Sequence, residues 1–325
     1  MSMPDQEISK NIDGILKGDR RSLSKAITLV ESAHPEHQEK ARILVDDLLP
    51  YSGNSIRLGV TGVPGVGKST FIESLGLELA SQNHRVAVLA VDPSSRRSGG
   101  SILGDKTRMT HLSAHPNAYI RPSPSGGTLG GVASKTRETM ILCEAAGFDV
   151  IIVETVGVGQ SETAVSSMVD FFLVLMLAGA GDELQGIKKG IMEMADAIAI
   201  NKADGDNMTH AQKARKDYEN ALHYLSPTSA IWRPVVHTVS SIENNGILDV
   251  WNTVLEHRKN HQSAGMLSVK RQKQAIDWMH DMVEDELKRE FYNRSRTREL
   301  LPELTRAVEK GSMSPGSAVR RLFKF

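Results

Sequence analysis

Cysteine is almost absent from this chain, since Cys143 is the single cysteine among 325 residues. One thiol excludes an internal disulfide framework and is typical of a reducing compartment, so we expect a cytoplasmic protein. Residues 1–15 contain acids and no apolar core, which is unlike a secretory or Arg-rich targeting segment. The longest apolar run, residues 171–180, is too short to cross a bilayer and predicts a buried strand.

Net charge is also absent, because 39 basic residues balance 39 acidic residues. A neutral chain has no bulk electrostatic attraction to nucleic acid or to an anionic membrane, so we expect neither as a partner. Hydrophobic residues make up 40% and charged residues 24% of the chain, which is ordinary for a globular protein. The length suffices for one large α/β domain with helical additions.

A glycine-rich segment, Gly-Val-Pro-Gly-Val-Gly-Lys-Ser, follows an apolar run and precedes a helical pattern. In that context G-x-x-x-x-G-K-[ST] predicts a phosphate-binding P-loop, because its backbone N–H groups and the helix N-terminus face the anion. Lys68 is expected to reach the β and γ phosphates, and the Ser69 hydroxyl to bind Mg²⁺. The predicted phosphate-binding residues are Gly62, Val63, Pro64, Gly65, Val66, Gly67, Lys68, Ser69 and Thr70.

Short apolar runs alternate with helical patterns through the middle of the chain. Most runs are continuous rather than alternating, which is typical of strands in a parallel sheet covered on both faces. The runs predict a doubly wound, mostly parallel α/β sheet with ligands beyond the carboxyl ends of its strands. They span residues 56–60, 86–91, 118–120, 150–153, 171–177, 197–200 and 235–239.

Two acidic residues after the second run are possible magnesium ligands. Asp92 directly follows that run. There its carboxylate would face the phosphate loop and bind Mg²⁺ directly or through water. Alternatively, it would cap an Asp-Pro turn. Asp105 lies in a Gly-rich polar segment, residues 98–108, with the composition of a switch loop. It is either a further Mg²⁺ ligand or part of a solvated helix start.

An apolar strand ends in Glu154, and Gly157 stands three residues later. This acid-x-x-Gly arrangement is typical of nucleotide switches, in which the acid senses Mg²⁺ and the glycine N–H meets the γ-phosphate. Val158 follows Gly157 where Ras-type GTPases place a water-positioning glutamine. Val158 cannot orient water, and Gln160, two residues beyond it, could do so only if the loop closes differently. We therefore expect slow intrinsic hydrolysis that a partner accelerates.

Asn201, Lys202 and Asp204 form an N-K-x-D motif after a further apolar run. The Asp204 carboxylate would accept from the guanine N1–H and 2-amino groups, which adenine does not offer. Asn201 would hold the loop or the base edge, and the Lys202 stem would cover the base plane. Ser240 and Ser241, after the last run, are expected to supply backbone N–H groups to the base oxygen.

Together these motifs resemble the MeaB/ArgK-type G proteins, which are relatives of the mitochondrial MMAA protein in the SIMIBI class of P-loop GTPases. The resemblance covers nearly the whole chain, and Glu154 matches the family's own acid. The lysine that many SIMIBI proteins carry near the start of the P-loop is replaced by Val63, as is usual for this family. The motifs that carry the resemblance are residues 61–69, 90–95, 99–108, 154–162 and 181–190.

The resemblance implies a GTP-hydrolysing chaperone of an adenosylcobalamin-dependent acyl-CoA mutase, with methylmalonyl-CoA mutase as the first choice. Such proteins gate cobalamin loading and protect or rescue the mutase. Residues 179–190 would respond to the partner, and Lys188 or Lys189 would stabilise charge during hydrolysis unless they belong to a solvated helix start. Catalysis is thus assigned to Lys68, Asp92, Glu154, Gln160 and Lys188, and Mg²⁺ to Ser69, Asp92, Asp105 and Glu154.

The resemblance also implies a homodimer formed through C-terminal helices. The predicted regions are 1–53, N-terminal helices; 54–256, the GTPase domain; and 257–325, the dimerisation helices. No Asp-x-His-x-x-Gly sequence occurs, so any link to cobalamin runs through the partner. Two alternatives stay open: a kinase linked to basic amino-acid transport, and a metallochaperone GTPase.

Overall fold

The computed structural model describes residues 6–91, 109–122, 129–155, 157, 161–179, 189–225 and 231–323. The chain forms two compact units, Met1–Gln274 and Ala275–Phe325. Asp92, Asp105, Gln160 and Lys188 lie outside the described residues.

A seven-stranded sheet forms the centre of the first unit, and every strand pairing in it is parallel. The strand order is β3-β2-β4-β1-β5-β6-β7, so β1 is a central strand with β4 and β5 as its neighbours. All seven apolar runs are strands, as the sequence predicts. They are β1 Ile56–Gly62, β2 Val86–Val91, β3 Ala118–Arg121, β4 Val150–Thr155, β5 Phe171–Leu177, β6 Ala197–Asn201 and β7 Val235–Thr238.

Helices cover both faces of this sheet. In β4, Ile151 and Val153 face one apolar cluster, while Val150 and Ile152 face the other. The described helices of the unit are α1 Gln6–Leu16, α2 Arg20–Glu31, α3 Pro35–Leu48, α4 Lys68–Ser81, α5 Thr110–Ala114, α6 Leu129–Ala145, α7 Ser161–Ser166, α8 Lys189–Met194, α9 Met208–Leu225 and α10 Ile247–Ser263.

The N-terminal helices α1, α2 and α3 share one cluster with α6 and the sheet. Leu23, Ile27 and Leu44 are fully buried there. An ion pair between Arg121 at the end of β3 and Glu31 at the end of α2 joins this helical layer to the sheet edge. Cys143 on α6 is fully buried in the same cluster, and its burial raises the pKa of the thiol.

The longest helix, α11 Met266–Asn293, begins in the first unit and ends in the second. The second unit continues with α12 Ser295–Glu309 and α13 Pro315–Phe323. Within it, the rings of Phe291 and Phe323 stack with their centroids 4.5 Å apart. Over the described part of the chain, no helix combines the length and the apolar character that a membrane crossing requires.

Candidate nucleotide-binding site

The P-loop turns back on itself directly after β1, at positions that only glycine occupies without strain. Gly62 has φ +148°, and a Cβ there would lie 2.4 Å from the Leu175 carbonyl oxygen of the neighbouring strand β5. Gly65 has φ +80° at the exposed tip of the loop, and Gly67 has φ +97° at the N-cap of α4. The loop therefore leads into the N-terminus of α4, where the partial positive charge of a helix favours an anion.

Lys68 is the first residue of α4, and its side chain folds back over the loop. The Nζ atom donates to the carbonyl oxygen of Gly62 at 2.8 Å and to that of Val63 at 3.2 Å. The residue is only 8% exposed. These bonds hold the ammonium group against the first residues of the P-loop.

Ser69 and Glu154 lie together although 85 residues separate them in sequence. The Ser69 Oγ donates to the Glu154 Oε1 at 3.0 Å, because the end of β4 lies beside the end of β1 in the sheet. Glu154 is 6% exposed. A hydroxyl and a carboxylate are hard oxygen donors of the kind that Mg²⁺ prefers, so this pair fits the predicted metal.

Gly157 lies against the P-loop. Its φ is +83°, and a Cβ at this residue would stand 2.1 Å from the Gly62 carbonyl oxygen and 2.7 Å from the Lys68 Nζ. The glycine of the acid-x-x-Gly motif therefore lies beside the P-loop lysine, in contact with the start of the loop.

A pair of threonines joins the same two strands, and sequence reasoning did not identify it. The Thr61 and Thr155 hydroxyls share a hydrogen bond at 2.7 Å, and both residues are 1% exposed. Thr61 precedes the P-loop and Thr155 follows Glu154. Both threonines lie just beyond the apolar part of a strand, and this placement is the only feature of the sequence that could have indicated them.

The N-K-x-D motif follows β6 at the same edge of the sheet. Asn201 is 1% exposed, and its Nδ2 donates to the Val66 carbonyl oxygen of the P-loop at 2.8 Å. Lys202 has φ +60°, a left-handed conformation that is uncommon for residues other than glycine. This turn separates the buried Asn201 from the half-buried Asp204.

Two serines after β7 hold the side chains of this motif. The Ser240 Oγ donates to the Asp204 Oδ2 at 2.7 Å, and the Ser241 Oγ donates to the Asn201 Oδ1 at 2.9 Å. The Ser240 N–H donates to the Asn245 carbonyl oxygen at 3.0 Å, so the backbone donor predicted at Ser240 is already paired within the loop. The sequence predicted backbone donors here; the structure adds hydroxyl contacts that orient both motif residues.

The structure thus gathers the described parts of three predicted motifs and the two serines at the carboxyl edge of the sheet. Among the predicted P-loop residues, Pro64 and Thr70 are exposed to solvent, whereas Val66 is fully buried. The predicted residues Asp92, Asp105, Gln160 and Lys188 fall in segments that the structure does not describe. Within the described ranges, no group of three or more His, Cys, Asp or Glu residues is arranged to hold a metal ion.

Comparisons with known proteins agree with this architecture. The family model described as methylmalonyl Co-A mutase-associated GTPase MeaB matches residues 23–296. GTPase ArgK of Escherichia coli is 48% identical over 318 residues, covering 98% of this chain and 96% of that protein. The mitochondrial methylmalonic aciduria type A homolog of Mus musculus is 46% identical over 321 residues, covering 96% of this chain and 77% of that protein.

A solved structure, the crystal structure of LAO/AO transport system kinase, shares the fold. Its TM-score is 0.77 at 41% sequence identity, and the alignment covers 99% of this chain and 98% of that one. The predicted doubly wound P-loop fold, the GTPase class and the family resemblance are all confirmed. The chain belongs to the MeaB family of methylmalonyl-CoA mutase-associated GTPases.

Proposed function

We propose that this protein binds and hydrolyses GTP in order to control an adenosylcobalamin-dependent acyl-CoA mutase, with methylmalonyl-CoA mutase as the client. The observation that carries the nucleotide chemistry is the bond from Asn201 to the Val66 carbonyl oxygen. It joins the guanine-reading motif to the phosphate loop, so the two parts of the proposed site lie side by side. The family's association with methylmalonyl-CoA mutase supports the choice of client.

The nucleotide roles follow from the positions of the side chains. The P-loop N–H groups and Lys68 bind the phosphates, and the Gly157 N–H meets the γ-phosphate. Asp204 accepts from the guanine N1–H and 2-amino groups, with its second partner, Ser240, already in place. The Ser241 N–H serves the base oxygen, and the Lys202 stem covers the base plane.

Magnesium would be held by Ser69 and by Glu154, directly or through water, with Asp92 and Asp105 as further ligands. When bound, it neutralises charge on the β and γ phosphates. Val158 cannot orient water, and Gln160 takes that role only if its loop closes differently from the Ras-type loop. Lys188 or Lys189 adds positive charge when the partner is bound, so hydrolysis is slow alone and faster with the mutase.

The chaperone role is that nucleotide state decides when the mutase takes up, keeps or exchanges its cobalamin. This chain binds the mutase and not the cobalamin itself. A relative from Mus musculus bears the name methylmalonic aciduria type A homolog, which supports a role in methylmalonyl-CoA metabolism.

A homodimer formed through region 257–325 completes the proposal, with 1–53 as a helical layer beside the GTPase domain, 54–256. Four apolar side chains support it, since they follow one another along a single face of α11 at helical spacing. Their exposed fractions are 54% for Ile276, 53% for Met279, 50% for Val283 and 61% for Leu287.

The kinase alternative rests on the name of the protein with the similar structure, LAO/AO transport system kinase. A kinase transfers phosphate to an acceptor hydroxyl, whereas a GTPase releases inorganic phosphate. A metallochaperone GTPase would instead carry a transition metal. Phosphate release without a phosphorylated acceptor would exclude the kinase. The absence of co-purifying Ni²⁺ or Zn²⁺ would exclude the metallochaperone.

Cobalamin loading tests the chaperone role. Apo methylmalonyl-CoA mutase is mixed with adenosylcobalamin and this protein, and the cofactor's visible absorbance reports its binding. We expect loading in the presence of GTP to differ in rate from loading with a non-hydrolysable analogue, because hydrolysis opens the gate. Identical loading with GTP, with the analogue and without nucleotide would contradict the role.

A lysine variant tests the partner-responsive segment. Lys188→Ala should abolish the mutase-stimulated part of GTP hydrolysis while leaving GTP affinity unchanged. Lys213→Ala, at an exposed position on α9, is the control and should keep the stimulation. Full stimulation in Lys188→Ala would remove this residue from the mechanism.

A further inference from the structure

Ser74 lies on α4 and makes a contact that bridges distant parts of the chain. Its Oγ donates to the Ser241 carbonyl oxygen at 2.6 Å, across 167 residues of sequence. Its neighbours Ile72 and Leu75 are fully buried in the core, so α4 is a firm support for this hydroxyl. No nucleotide-binding motif includes Ser74, and it lies beyond the P-loop that begins the helix.

The contact closes a ring of hydrogen bonds around the base side of the site. The Val66 carbonyl accepts from the Asn201 Nδ2 at 2.8 Å, and the Asn201 Oδ1 accepts from the Ser241 Oγ at 2.9 Å. The Ser241 carbonyl then accepts from Ser74. Because α4 begins directly after the P-loop and contains Ser74, the helix connects Ser74 back to Val66 and completes the ring.

The Ser240–Ser241 dipeptide therefore orients both guanine-reading side chains. Ser240 holds Asp204, and Ser241 holds Asn201. The next residue, Ile242, is 81% exposed, so its side chain does not pack the loop against the core. The Ser240 backbone pairs with Asn245 within the loop, and the hydrogen bond from Ser74 anchors Ser241 to α4.

We propose that Ser74 is a positioning residue for guanine selectivity: it fixes the Ser240–Ser241 dipeptide on α4 and thereby fixes the Asp204 carboxylate. This inference rests on the proposed nucleotide site. Ser74 touches no part of the nucleotide and acts through the Ser241 peptide. Its loss should weaken the discrimination made by Asp204 more than the binding of phosphate, which the P-loop performs.

The test compares GDP with IDP, whose base lacks the 2-amino group that Asp204 accepts from. Dissociation constants for both nucleotides, with Mg²⁺ present, are measured by calorimetry for the wild type and for Ser74→Ala. Alanine is a better helix former than serine, so the substitution does not weaken α4 itself. Thermal unfolding of each variant reports the integrity of the fold.

Two further variants make the comparison specific. Ser81→Ala is the matched control, because the Ser81 Oγ donates at 2.7 Å to Glu78 within the same helix and reaches no loop. Ser74→Thr keeps a hydroxyl at the position and should restore the wild-type preference.

We expect Ser74→Ala to lower the preference for GDP over IDP by about 3- to 10-fold, as the net loss of one or two neutral hydrogen bonds allows. Ser81→Ala should leave the preference unchanged. An unchanged preference in Ser74→Ala would overturn the inference, even if both nucleotides bound more weakly, because that pattern indicates a merely structural role. Calorimetry of the wild type with ADP tests the proposed function separately, and a wild type that does not prefer GDP to ADP would overturn that function.

Discussion

Gly157 of the switch motif packs against the start of the P-loop. Its missing side chain leaves room for the Gly62 carbonyl oxygen and the Lys68 Nζ, at 2.1 Å and 2.7 Å from the position a Cβ would take. The acid-x-x-Gly spacing predicted a glycine that meets the γ-phosphate. The structure adds that the P-loop itself requires a glycine here, because a Cβ would collide with the Gly62 carbonyl oxygen.

Gly157→Ala should reduce GTP turnover by about 100-fold or more, because the Cβ forces the switch backbone or the P-loop to shift, and a displacement of about 1 Å at a reacting centre has an effect of that size. Alanine in the left-handed backbone conformation of Gly157 should also lower the free energy of unfolding by about 1–2 kcal/mol. Steady-state phosphate release measures the effect.

Gly265→Ala is the matched control, because Gly265 has φ +70° and no atom lies within 4 Å of its absent Cβ. It carries similar backbone strain without the collision, so it should lower stability and keep turnover. Turnover in Gly157→Ala equal to that of the control would show that the close approach is not required.

Asp204→Ala tests the base-reading carboxylate. We expect GDP affinity to fall by about 10- to 100-fold, because hydrogen bonds to a charged group contribute about 1.5–3 kcal/mol. The affinity for ADP should not fall, since adenine offers no donor to this carboxylate. Calorimetry with the two nucleotides measures both.

The exposed Asp206, two positions away in sequence, provides the control. Asp206→Ala removes a carboxylate of the same kind and should leave GDP binding unchanged. An equal loss in both variants would mean that Asp204 acts through the general charge of the loop rather than through the base.

At the scale of elements, a buried aspartate joins β5 to α11. Asp170 precedes β5 and is 2% exposed; Arg271 donates to its carboxylate from Nε at 2.8 Å and from Nη2 at 2.6 Å. The Arg57 N–H donates to it at 3.0 Å. Burial alone would raise the pKa of Asp170, but the hydrogen bonds and charge of Arg271 outweigh it and hold the pKa below its ordinary value.

Asp170→Asn should lower the free energy of unfolding at pH 7 by about 3–5 kcal/mol, because it leaves the Arg271 guanidinium on α11 buried without its counter-charge. Urea titration measures this. Asp47→Asn, on an exposed part of α3, is the control and should change stability by less than about 0.5 kcal/mol. A small effect in Asp170→Asn would indicate that α11 is held by other contacts.

The same variant predicts a pH dependence. A carboxyl whose pKa is lower in the folded state stabilises the fold above its unfolded pKa, about 3.9, and loses that contribution as the pH falls through the folded value. The stability gap between wild type and Asp170→Asn should therefore be constant from pH 7 to 5 and shrink below about pH 4. A gap that widens on acidification would contradict the direction of the pKa change.

The elements themselves were largely predictable, because a continuous apolar run of strand length between helical patterns has few other structures open to it. Five strand ends differ from the prediction, and those of β1 and β4 differ most. The prediction ended β1 at Val60 and β4 at Val153, the last apolar residues, whereas the strands continue to Gly62 and Thr155. Ladder hydrogen bonds are made by the backbone, so polar residues continue a strand, and here the bond between Thr61 and Thr155 joins them.

At the scale of the whole molecule, the contacts that sequence could not supply are those between distant loops. Spacing within a motif is visible in the chain, which is why Lys68, Glu154 and Asn201 were identified. The contact of Ser74 with Ser241 has no pattern of its own, because it exists only once seven strands have placed α4 beside the loop after β7. The hydroxyl contacts of Ser240 were unpredictable for the same reason.

The proposed homodimer makes a prediction about the assembled protein. Val283→Lys, in the centre of the exposed apolar face of α11, should convert a dimer to a monomer, because burying an unpaired ammonium at an apolar interface is strongly unfavourable. Light scattering coupled to size-exclusion chromatography measures the mass. Asp285→Lys brings a lysine to the opposite side of the same helix and should remain dimeric.

A monomeric wild type would contradict the proposed dimer directly. So would a dimer that survives Val283→Lys, since the exposed face would then lie outside the interface.

The most direct test of the central claim is the rate of GTP hydrolysis measured with and without an equimolar amount of methylmalonyl-CoA mutase from the same source, with ATP as the control nucleotide. The account predicts slow GTP turnover alone, strong stimulation by the mutase and no turnover of ATP in either case. Basal GTP turnover that the mutase leaves unchanged would contradict the proposed client, and hydrolysis of ATP at the rate of GTP would contradict the guanine-reading site.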